Sequence, residues 1–233
     1  RSGSSGSYTY NVAADWANRP VNYVSYWDAC RFANWLHNDQ PTGEQGPGTT
    51  ETGVYTLTAE GISNNTVVRN GDWEWAVTSE DEWYKAAYYK GGSANSGYWD
   101  YPTSSDADPG RDMADIWGNN ANWCSFSGPY PIDPPHYATL VGEFQNSASS
   151  YGTFDQGGNL EEWNESIMGS INNFRGIRGG NFGLSWLNMK AYWRIYNYPP
   201  SKATGVGFRV SQVPEPATVA LLAIGGLLIL RRR

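Results

Sequence analysis

Residues 92–159 show no sustained helical or strand period. Such a long stretch without regular elements is uncommon in a compact domain unless metal ions or aromatic side chains hold it in place. The composition supplies aromatic side chains, because 12 Trp and 16 Tyr accompany 27 Gly and 13 Pro. Trp and Tyr bury their rings and bond loop backbone with their polar ends. We therefore expect an irregular, loop-rich fold and not a helical bundle.

Acidic residues outnumber basic ones and give the chain a net charge of -7. Such a chain lacks the basic surface that binds a phosphate backbone, so we expect no nucleic-acid partner. An acidic surface suits calcium and an extracellular location, although solubility alone also accounts for it.

Two segments carry the signals of a capped helix. Ser25 has Asp28 three residues later, and Ser79 has Glu82 three residues later. This spacing is that of the capping box, in which two unpaired N–H groups at the helix start are bonded reciprocally. The pattern predicts two main helices: residues 26–38, with Tyr26, Ala29, Cys30, Ala33 and Leu36 buried, and residues 79–90, with Trp83, Ala86 and Ala87 buried.

Strand signals in the first third of the chain are short. Residues 20–24 and 54–58 have the apolar and β-branched composition of strands. The second run lies within residues 39–72, which are rich in Gly, Thr, Asn and Pro. We expect this segment to form a long ordered insertion.

The two cysteines, Cys30 and Cys124, leave two alternatives. In an oxidising compartment they would form a disulfide. Otherwise Cys30 packs on the buried helix face as a small hydrophobic residue.

The C-terminal end of the chain is apolar and then basic. Residues 217–230 carry no charge, and Arg231, Arg232 and Arg233 follow them. As a helix these residues span ~21 Å, short of a ~30 Å hydrocarbon core, so they make a poor permanent anchor. We expect transient membrane insertion, with the arginines at the cytoplasmic face and the globular part outside. The alternative, a terminal core helix, would show a polar face.

Four residues, Val213, Pro214, Glu215 and Pro216, precede this apolar run. The order of motif, apolar run and Arg cluster resembles the PEP-CTERM sorting signal of Gram-negative bacteria. The resemblance implies export, recognition by an exosortase, removal of the tail, and release to the cell surface or extracellular matrix. Until removal, the tail would hold the protein at the inner membrane.

Five motifs occur in order along the body: RPVNYVSYWDA from Arg19, TSEDEWYKAA from Thr78, GNLEEW from Gly158, RGGNF from Arg178 and GFRV from Gly207. They resemble PV..VSW.DA, TE.EWE.AAR, GNVWEW, RGGS[WF] and GFR of the formylglycine-generating enzyme (sulfatase-modifying factor) family. The resemblance implies that family's α+β variant of the C-type lectin-like fold, coil-rich, with two main helices and small antiparallel sheets. It divides the chain into a flexible N-terminal segment (1–9), the family domain (10–212) and the sorting tail (213–233). We expect Arg178 and Arg209 to donate to buried carbonyls.

The family resemblance also implies calcium. Carried over by position, one site has as its ligands the Asp155 carboxylate, the Gly158 and Leu160 carbonyls and the Glu162 carboxylate. Alternate residues of an extended loop aim their oxygens at one point, and these are hard oxygen ligands of the kind calcium takes. Glu161 stands where the family has Trp. A second site would use Asn122, the Trp123 carbonyl, Asp133 and the Pro135 carbonyl. The alternative is that Asp155 only makes a turn and Glu162 is solvated.

The family's oxidative chemistry uses a cysteine pair between the RGG and GFR motifs, where thiolates bind copper. Residues 181–206 of this chain contain no cysteine. Asn, Ser and Tyr do not replace thiolates as ligands of Cu(I). We therefore expect no family catalysis.

The same segment is rich in aromatic residues, which are favoured at recognition surfaces. It predicts a noncatalytic binding face for extracellular polysaccharide or for another copy of the protein, formed by Trp186, Tyr192, Trp193, Tyr196 and Tyr198. Three alternatives stay open: these aromatics are core, the chain is a family enzyme with altered chemistry, or it is a binding protein diversified at this position.

Overall fold

The computed structural model describes residues 11–92, 96–169 and 173–213. Short helices and strands alternate with long stretches of ordered coil, as expected for a coil-rich α+β fold. In chain order the elements are α1 (Tyr26–His37), α2 (Ala59–Ser63), β1 (Trp75–Val77), α3 (Glu80–Tyr88), β2 (Glu161–Met168), β3 (Phe174–Arg178), a 3-10 helix (Trp186–Met189), β4 (Ile195–Asn197), β5 (Val206–Phe208) and β6 (Val210–Gln212).

The strands form two small sheets. One has the order β4-β3-β2-β5, and the other pairs β1 with β6 in antiparallel fashion. In the larger sheet β2 is antiparallel to β3 but parallel to β5. The expected antiparallel pairing is found for β1–β6, β2–β3 and β3–β4, and the parallel β2–β5 pair departs from it. The chain passes through β3 and β4 on one side of β2 before β5 returns to its other side.

Helix α1 begins as its sequence predicts. The Ser25 hydroxyl accepts the Asp28 N–H at 3.1 Å, and the Asp28 carboxylate accepts the Ser25 N–H at 2.9 Å. The helix ends at His37, one residue earlier than expected. Of the residues predicted to be buried, Leu36 is only half-buried. The other four lie in a core that includes residues of the larger sheet: Tyr26, Ala29, Cys30 and Ala33 pack with Trp163, Ile177 and Val206.

Helix α3 is also capped as predicted. The Ser79 hydroxyl accepts the Glu82 N–H at 3.2 Å, and the Glu82 carboxylate accepts the Ser79 N–H at 2.8 Å. Trp83 and Ala87 are fully buried, whereas Ala86 is half-buried. The helix packs against β2 and so connects the second motif to the third.

The two strands expected before residue 72 do not form. At residues 20–24 the backbone of Tyr23 has a φ of 58°, and its N–H bonds the Ala203 carbonyl at 3.1 Å. A positive φ interrupts the extended conformation that a strand requires. At residues 54–58 only an isolated bridge pairs Tyr55 with Arg69. The insertion also contains α2, which the sequence pattern did not predict.

A buried amide fixes this insertion to α1. The side chain of Asn34 accepts the Tyr55 N–H at 2.7 Å and donates to the Tyr55 and Thr50 carbonyls at 3.0 and 2.7 Å. Asn34 is fully buried, so each of these bonds replaces one to water. One helical side chain thereby orders backbone about twenty residues away in sequence.

Buried polar side chains also hold the irregular region. In its described part, residues 96–159, the backbone forms isolated bridges but no helix or strand. The carboxylate of Asp115, which is 2% exposed, accepts the Asn146 N–H, the Ser147 hydroxyl and the Asn120 amide at 2.6, 2.6 and 2.9 Å. These bonds provide order where no secondary structure does.

The cysteines do not form a disulfide. Cys30 and Cys124 are both free, and Cys30 is enclosed in the core below α1. The N–H of Cys124 bonds the Leu184 carbonyl at 2.8 Å, which attaches that residue to the loop after β3. The alternative of a buried, free Cys30 is confirmed.

Candidate metal and ligand sites

The GNLEEW motif makes a tight turn into β2. Gly158 has a φ of 77°, and its N–H bonds the Gly179 carbonyl at 2.8 Å. A Cβ added at Gly158 would lie 2.4 Å from the Asn122 carbonyl oxygen, so only glycine fits this approach. The next N–H, of Asn159, bonds that same carbonyl at 2.8 Å. The turn is thus held between the RGG motif and the irregular region.

Glu162 lies at the beginning of β2 and is 7% exposed. Its carboxylate accepts the Trp83 indole N–H at 2.6 Å and two guanidinium N–H groups of Arg209 at 2.5 and 2.6 Å. Three family motifs therefore meet at one carboxylate. The alternative in which Glu162 is solvated is therefore wrong.

Asp155 lies in the loop before the turn, with a φ of 56°. One carboxylate oxygen accepts the Gly142 N–H at 2.6 Å, and the carboxylate forms no ion pair with the described residues. Burial raises the pKa of Asp155 to about 6, and the nearby Arg209 charge opposes that rise only in part. A cation bound next to Asp155 would stabilise the charged form of this buried carboxylate.

A cavity of about 240 Å³ opens between these groups, and its lining includes Asp155, Leu160, Glu162 and Arg209. In the part of the chain that the structure describes, the Gly158 and Leu160 carbonyls accept no backbone hydrogen bond outside the strands. A carboxylate offers about four lone-pair sites, so Glu162 keeps acceptor capacity beside Arg209. The four predicted oxygens thus have the chemistry that calcium takes, although Glu162 shares its charge with Arg209.

The second predicted set is less suited to a metal. Asn122 is buried and donates to the Tyr137 carbonyl at 2.8 Å. The Asp133 carboxylate pairs with the Arg19 guanidinium at 2.7 Å, which already balances its charge. No hydrogen bond joins Asn122 to Asp133 among the described residues. The neighbouring Trp123 and Pro135 contribute only carbonyls to the predicted set. We find no feature here that calls for a cation.

The five predicted ligand-binding aromatics do not form one face. Trp186 is partly buried and packs on the cluster of Tyr101, Ala121 and Met189. Tyr192 is 71% exposed, and the Lys190 ammonium lies 5.6 Å from the Trp186 ring and 6.0 Å from the Tyr192 ring. Trp186 therefore packs on the core, as the alternative interpretation of these aromatics expected, whereas Tyr192 lies on the surface.

The other half lies across the larger sheet. The rings of Tyr196 and Tyr198 contact the Phe174 ring at 4.8 and 4.7 Å, and both are about half exposed. The Trp193 ring is 37% exposed, whereas its carbonyl accepts an Arg178 N–H at 2.5 Å. The exposed aromatic surface is therefore divided between two places.

The two arginines of the RGG and GFR motifs bond carbonyls, as expected. Arg178 donates to the Ala191 carbonyl at 2.8 Å, and Arg209 donates to the Phe154 carbonyl at 3.0 Å. Both also bind a carboxylate, because Arg178 pairs with Glu80 at 2.5 Å. Sequence reasoning missed these ion pairs.

Glu161 is a candidate functional residue that sequence reasoning did not single out for chemistry. It is 6% exposed, and one of its oxygens accepts the Asn181 amide N–H at 2.9 Å. The other oxygen, Oε1, is buried with no hydrogen-bond partner among the described residues. Burial raises the pKa of Glu161 to about 7. The departure from the family's Trp was the signal, but only the fold reveals the burial.

Residues 3–213 match the model of the sulfatase-modifying factor enzyme 1-like domain. The chain belongs to this family. Residues 212–233 match the PEP-CTERM protein-sorting motif, which exosortase machinery recognises. The protein is therefore an exported member of the sulfatase-modifying factor family with a C-terminal sorting signal. No curated protein matches the sequence.

Solved structures agree with this family fold. Treponema denticola variable protein 1 is similar with a TM-score of 0.56 at 17% identity, covering 91% of this chain and 77% of that one. A crystal structure of CarF is similar with a TM-score of 0.53 at 20% identity, covering 86% of this chain and 71% of that one. At these identities the similarity shows the fold alone.

The sorting signal is described at its first residue only. Val213 is 40% exposed, and its N–H bonds the Glu74 carbonyl at 2.9 Å, at the end of β6. Pro214, Glu215, Pro216 and the apolar run lie outside the described residues. Within the ranges that are described, no helix is long and apolar enough to span a membrane.

Proposed function

We propose that this protein is a noncatalytic, calcium-stabilised binding module that the sorting machinery releases at the cell surface or into the extracellular matrix. The observation that carries the noncatalytic part is the absence of cysteine from residues 181–206, where the family's copper-binding pair would lie. Fold alone does not imply activity when the reacting groups are missing.

The two cysteines outside that segment do not offer a substitute pair. Cys30 is completely buried, and burial raises the pKa of its thiol to about 12. Since the thiolate is the form that binds metal, such a thiol is inert at neutral pH. Cys124 is free and half-buried, so one thiol at most is available for a reaction.

The test is an oxidation assay. The full chain is incubated with copper, oxygen and a sulfatase-type cysteine peptide, and mass spectrometry follows conversion to formylglycine. We expect no turnover above a control without protein, while a family enzyme that has the cysteine pair converts the peptide in parallel. Turnover above the control without protein would refute the noncatalytic role. If the turnover survives in the Cys30→Ser/Cys124→Ser double variant, the reaction does not use a thiol of this chain.

Calcium is the second part of the proposal. Three observations support it. A cavity opens at Asp155, and the Gly158 and Leu160 carbonyls accept no backbone hydrogen bond outside the strands in the described part of the chain. The buried Asp155 carboxylate forms no ion pair with the described residues. A bound calcium would offset the desolvation of Asp155 and hold the GNLEEW turn to the loop before it. Ligand binding is the third part, through the exposed aromatics, with polysaccharide or a second copy of the protein as partner.

One observation favours a second candidate, a family enzyme with altered chemistry. Glu161 is a buried carboxyl whose pKa of about 7 lies in the range of general acid–base groups. It contacts Asn181, directly after the RGG motif. This candidate requires a reaction that is lost in Glu161→Gln and kept in the double cysteine variant.

A further inference from the structure

We propose that a cleft beside α1 and α2 binds a neutral saccharide. This inference rests on the proposed binding function and names its ligand class. The cleft has a volume of about 460 Å³ and lies between Trp27 of α1, Ile62 and Asn64 at the end of α2, and Tyr198 and Pro199 after β4. This volume lies within the range of small-molecule sites, ~300–1,000 Å³. Only Tyr198 belongs to the aromatic set that the sequence singles out.

The lining of the cleft is uncharged. None of the residues that line the cleft is charged, in a protein whose net charge is -7. A phosphate, carboxylate or ammonium group placed here would lose water without direct contact to a lining group of opposite charge, which is unfavourable. The nearby Arg175 guanidinium contacts the Trp27 ring but does not line the cleft. The ligand is therefore uncharged.

The cleft combines flat apolar surface with polar groups that have no partner in the described part of the chain. Trp27 is 4% exposed and forms the floor, while Tyr198 is 51% exposed and stands at the rim. Neither the Trp27 indole N–H nor the Asn64 side-chain amide has a hydrogen-bond partner among the described residues. A sugar ring combines an apolar C–H face with hydroxyl groups that both donate and accept. Aromatic rings and amides match these two features.

The aromatic side chains of the cleft are held in place before a ligand arrives. The Tyr198 hydroxyl accepts the Asn173 amide N–H at 3.2 Å, and its ring contacts Phe174 at 4.7 Å. The Trp27 ring lies 5.1 Å from the Tyr26 ring and 5.6 Å from the Arg175 guanidinium. Side chains fixed in this way lose little entropy on binding, which favours a small rigid ligand.

A proline-rich peptide is the competing ligand, because aromatic-lined grooves also bind polyproline helices. Such peptides pack on exposed aromatic rings. Here one of the two aromatic rings is almost enclosed, and its polar edge is unpartnered. A hydroxyl group reaches such an edge more readily than a pyrrolidine ring does, so the saccharide fits better.

The test is binding of the full chain to immobilised neutral oligosaccharides of glucose, mannose and galactose, with their acidic counterparts and a proline-rich peptide alongside. Asn64→Ala and Tyr198→Ala remove exposed groups of the cleft. Trp27→Phe removes the indole N–H and keeps a ring in the core. Tyr192→Ala tests the exposed aromatics outside the cleft. Tyr151→Ala is the matched control, since Tyr151 is as exposed as Tyr198 and does not line the cleft.

We expect one neutral saccharide to bind and each of the three cleft variants to weaken binding at least tenfold, with Tyr151→Ala unchanged. Loss with Tyr192→Ala but not with Tyr198→Ala or Asn64→Ala would overturn the cleft and keep a binding function. Preference for acidic saccharides, peptide binding that depends on Tyr198, or no saccharide binding at all would overturn the inference. The noncatalytic role fails separately, by turnover in the peptide oxidation assay.

Discussion

Replacing Glu161 by Gln tests the unusual carboxyl at the start of β2. Burial raises the pKa of Glu161 from 4.5 to about 7 in the folded protein, and the Asn181 amide opposes this only in part. Between these pH values the folded state binds more protons than the unfolded state does. Stability from this group is therefore present below pH 4.5 and is lost as the pH rises through about 7.

The magnitude follows from the size of the shift. One pKa unit corresponds to about 1.36 kcal/mol, so the rise from 4.5 to about 7 corresponds to about 3 kcal/mol of unfolding free energy, as an upper value. Gln has the shape of the protonated carboxyl and keeps an oxygen for Asn181. It does not ionise, so the variant lacks this pH dependence.

The assay is urea unfolding followed by Trp fluorescence at intervals from about pH 4 to 8, with chelator present to remove calcium. As the pH rises over this range, the native protein should lose about 1–3 kcal/mol of unfolding free energy relative to the Glu161→Gln variant. Asp155, whose pKa burial also raises, is present in both proteins and cancels. The exposed Glu44→Gln change is the control. Parallel curves for all three proteins would refute the reasoning.

Two further predictions concern calcium and export. Calcium at about 100 times its Kd should add about 2.7 kcal/mol and raise the melting temperature by roughly 5–10 °C. Chelator or Asp155→Asn should abolish this rise in melting temperature, whereas Asp81→Asn, at an exposed position, should not. An equal rise in the Asp155→Asn variant would contradict the site. Mass spectrometry of the native host should find the domain in the extracellular fraction, cleaved near residues 214–216; intact protein confined to the cytoplasm would contradict export.

The elements that the sequence predicted correctly are those whose signals are local. Both capping boxes depend on residues three positions apart, and both helices begin where those residues predict. The turn at Gly158 also follows from its motif, because the required φ of 77° and the close carbonyl leave room for glycine only. Local chemistry of this kind does not depend on the rest of the fold.

The elements that it missed depend on partners far away in the chain. Residues 20–24 have strand composition, but the positive φ of Tyr23 follows from a bond to the Ala203 carbonyl. The irregular region is ordered by Asp115, whose carboxylate bonds residues up to 32 positions away. No periodicity reports such bonds, because one buried polar side chain replaces many backbone pairs.

The candidate metal site contains one feature that the sequence predicted and one that it did not. The positions of Asp155 and Glu162 in the motif placed them in one site, and both line one cavity. The ion pair of Glu162 with Arg209 spans 47 residues and joins two motifs. Spacing within a motif does not reveal it.

Two departures from the family motifs contact each other, so we expect their effects on stability to be coupled. Glu161 stands for Trp in GNVWEW, Asn181 stands for Ser in RGGS[WF], and their side chains bond at 2.9 Å. Without the Asn181 amide the buried Glu161 side chain would lose its one hydrogen bond among the described residues. We therefore expect Asn181→Ser to destabilise the native protein by about 1–3 kcal/mol, because the Glu161 carboxyl is left unpaired.

The family combination at these two positions supplies the test of coupling. Glu161→Trp alone leaves the Asn181 amide without its carboxylate, while the double variant Glu161→Trp/Asn181→Ser restores both family residues. Urea unfolding of the four proteins gives the cycle, and the double variant should be more stable than the sum of the single changes by about 1–2 kcal/mol. Additive changes would mean that the bond between Glu161 and Asn181 contributes little to stability.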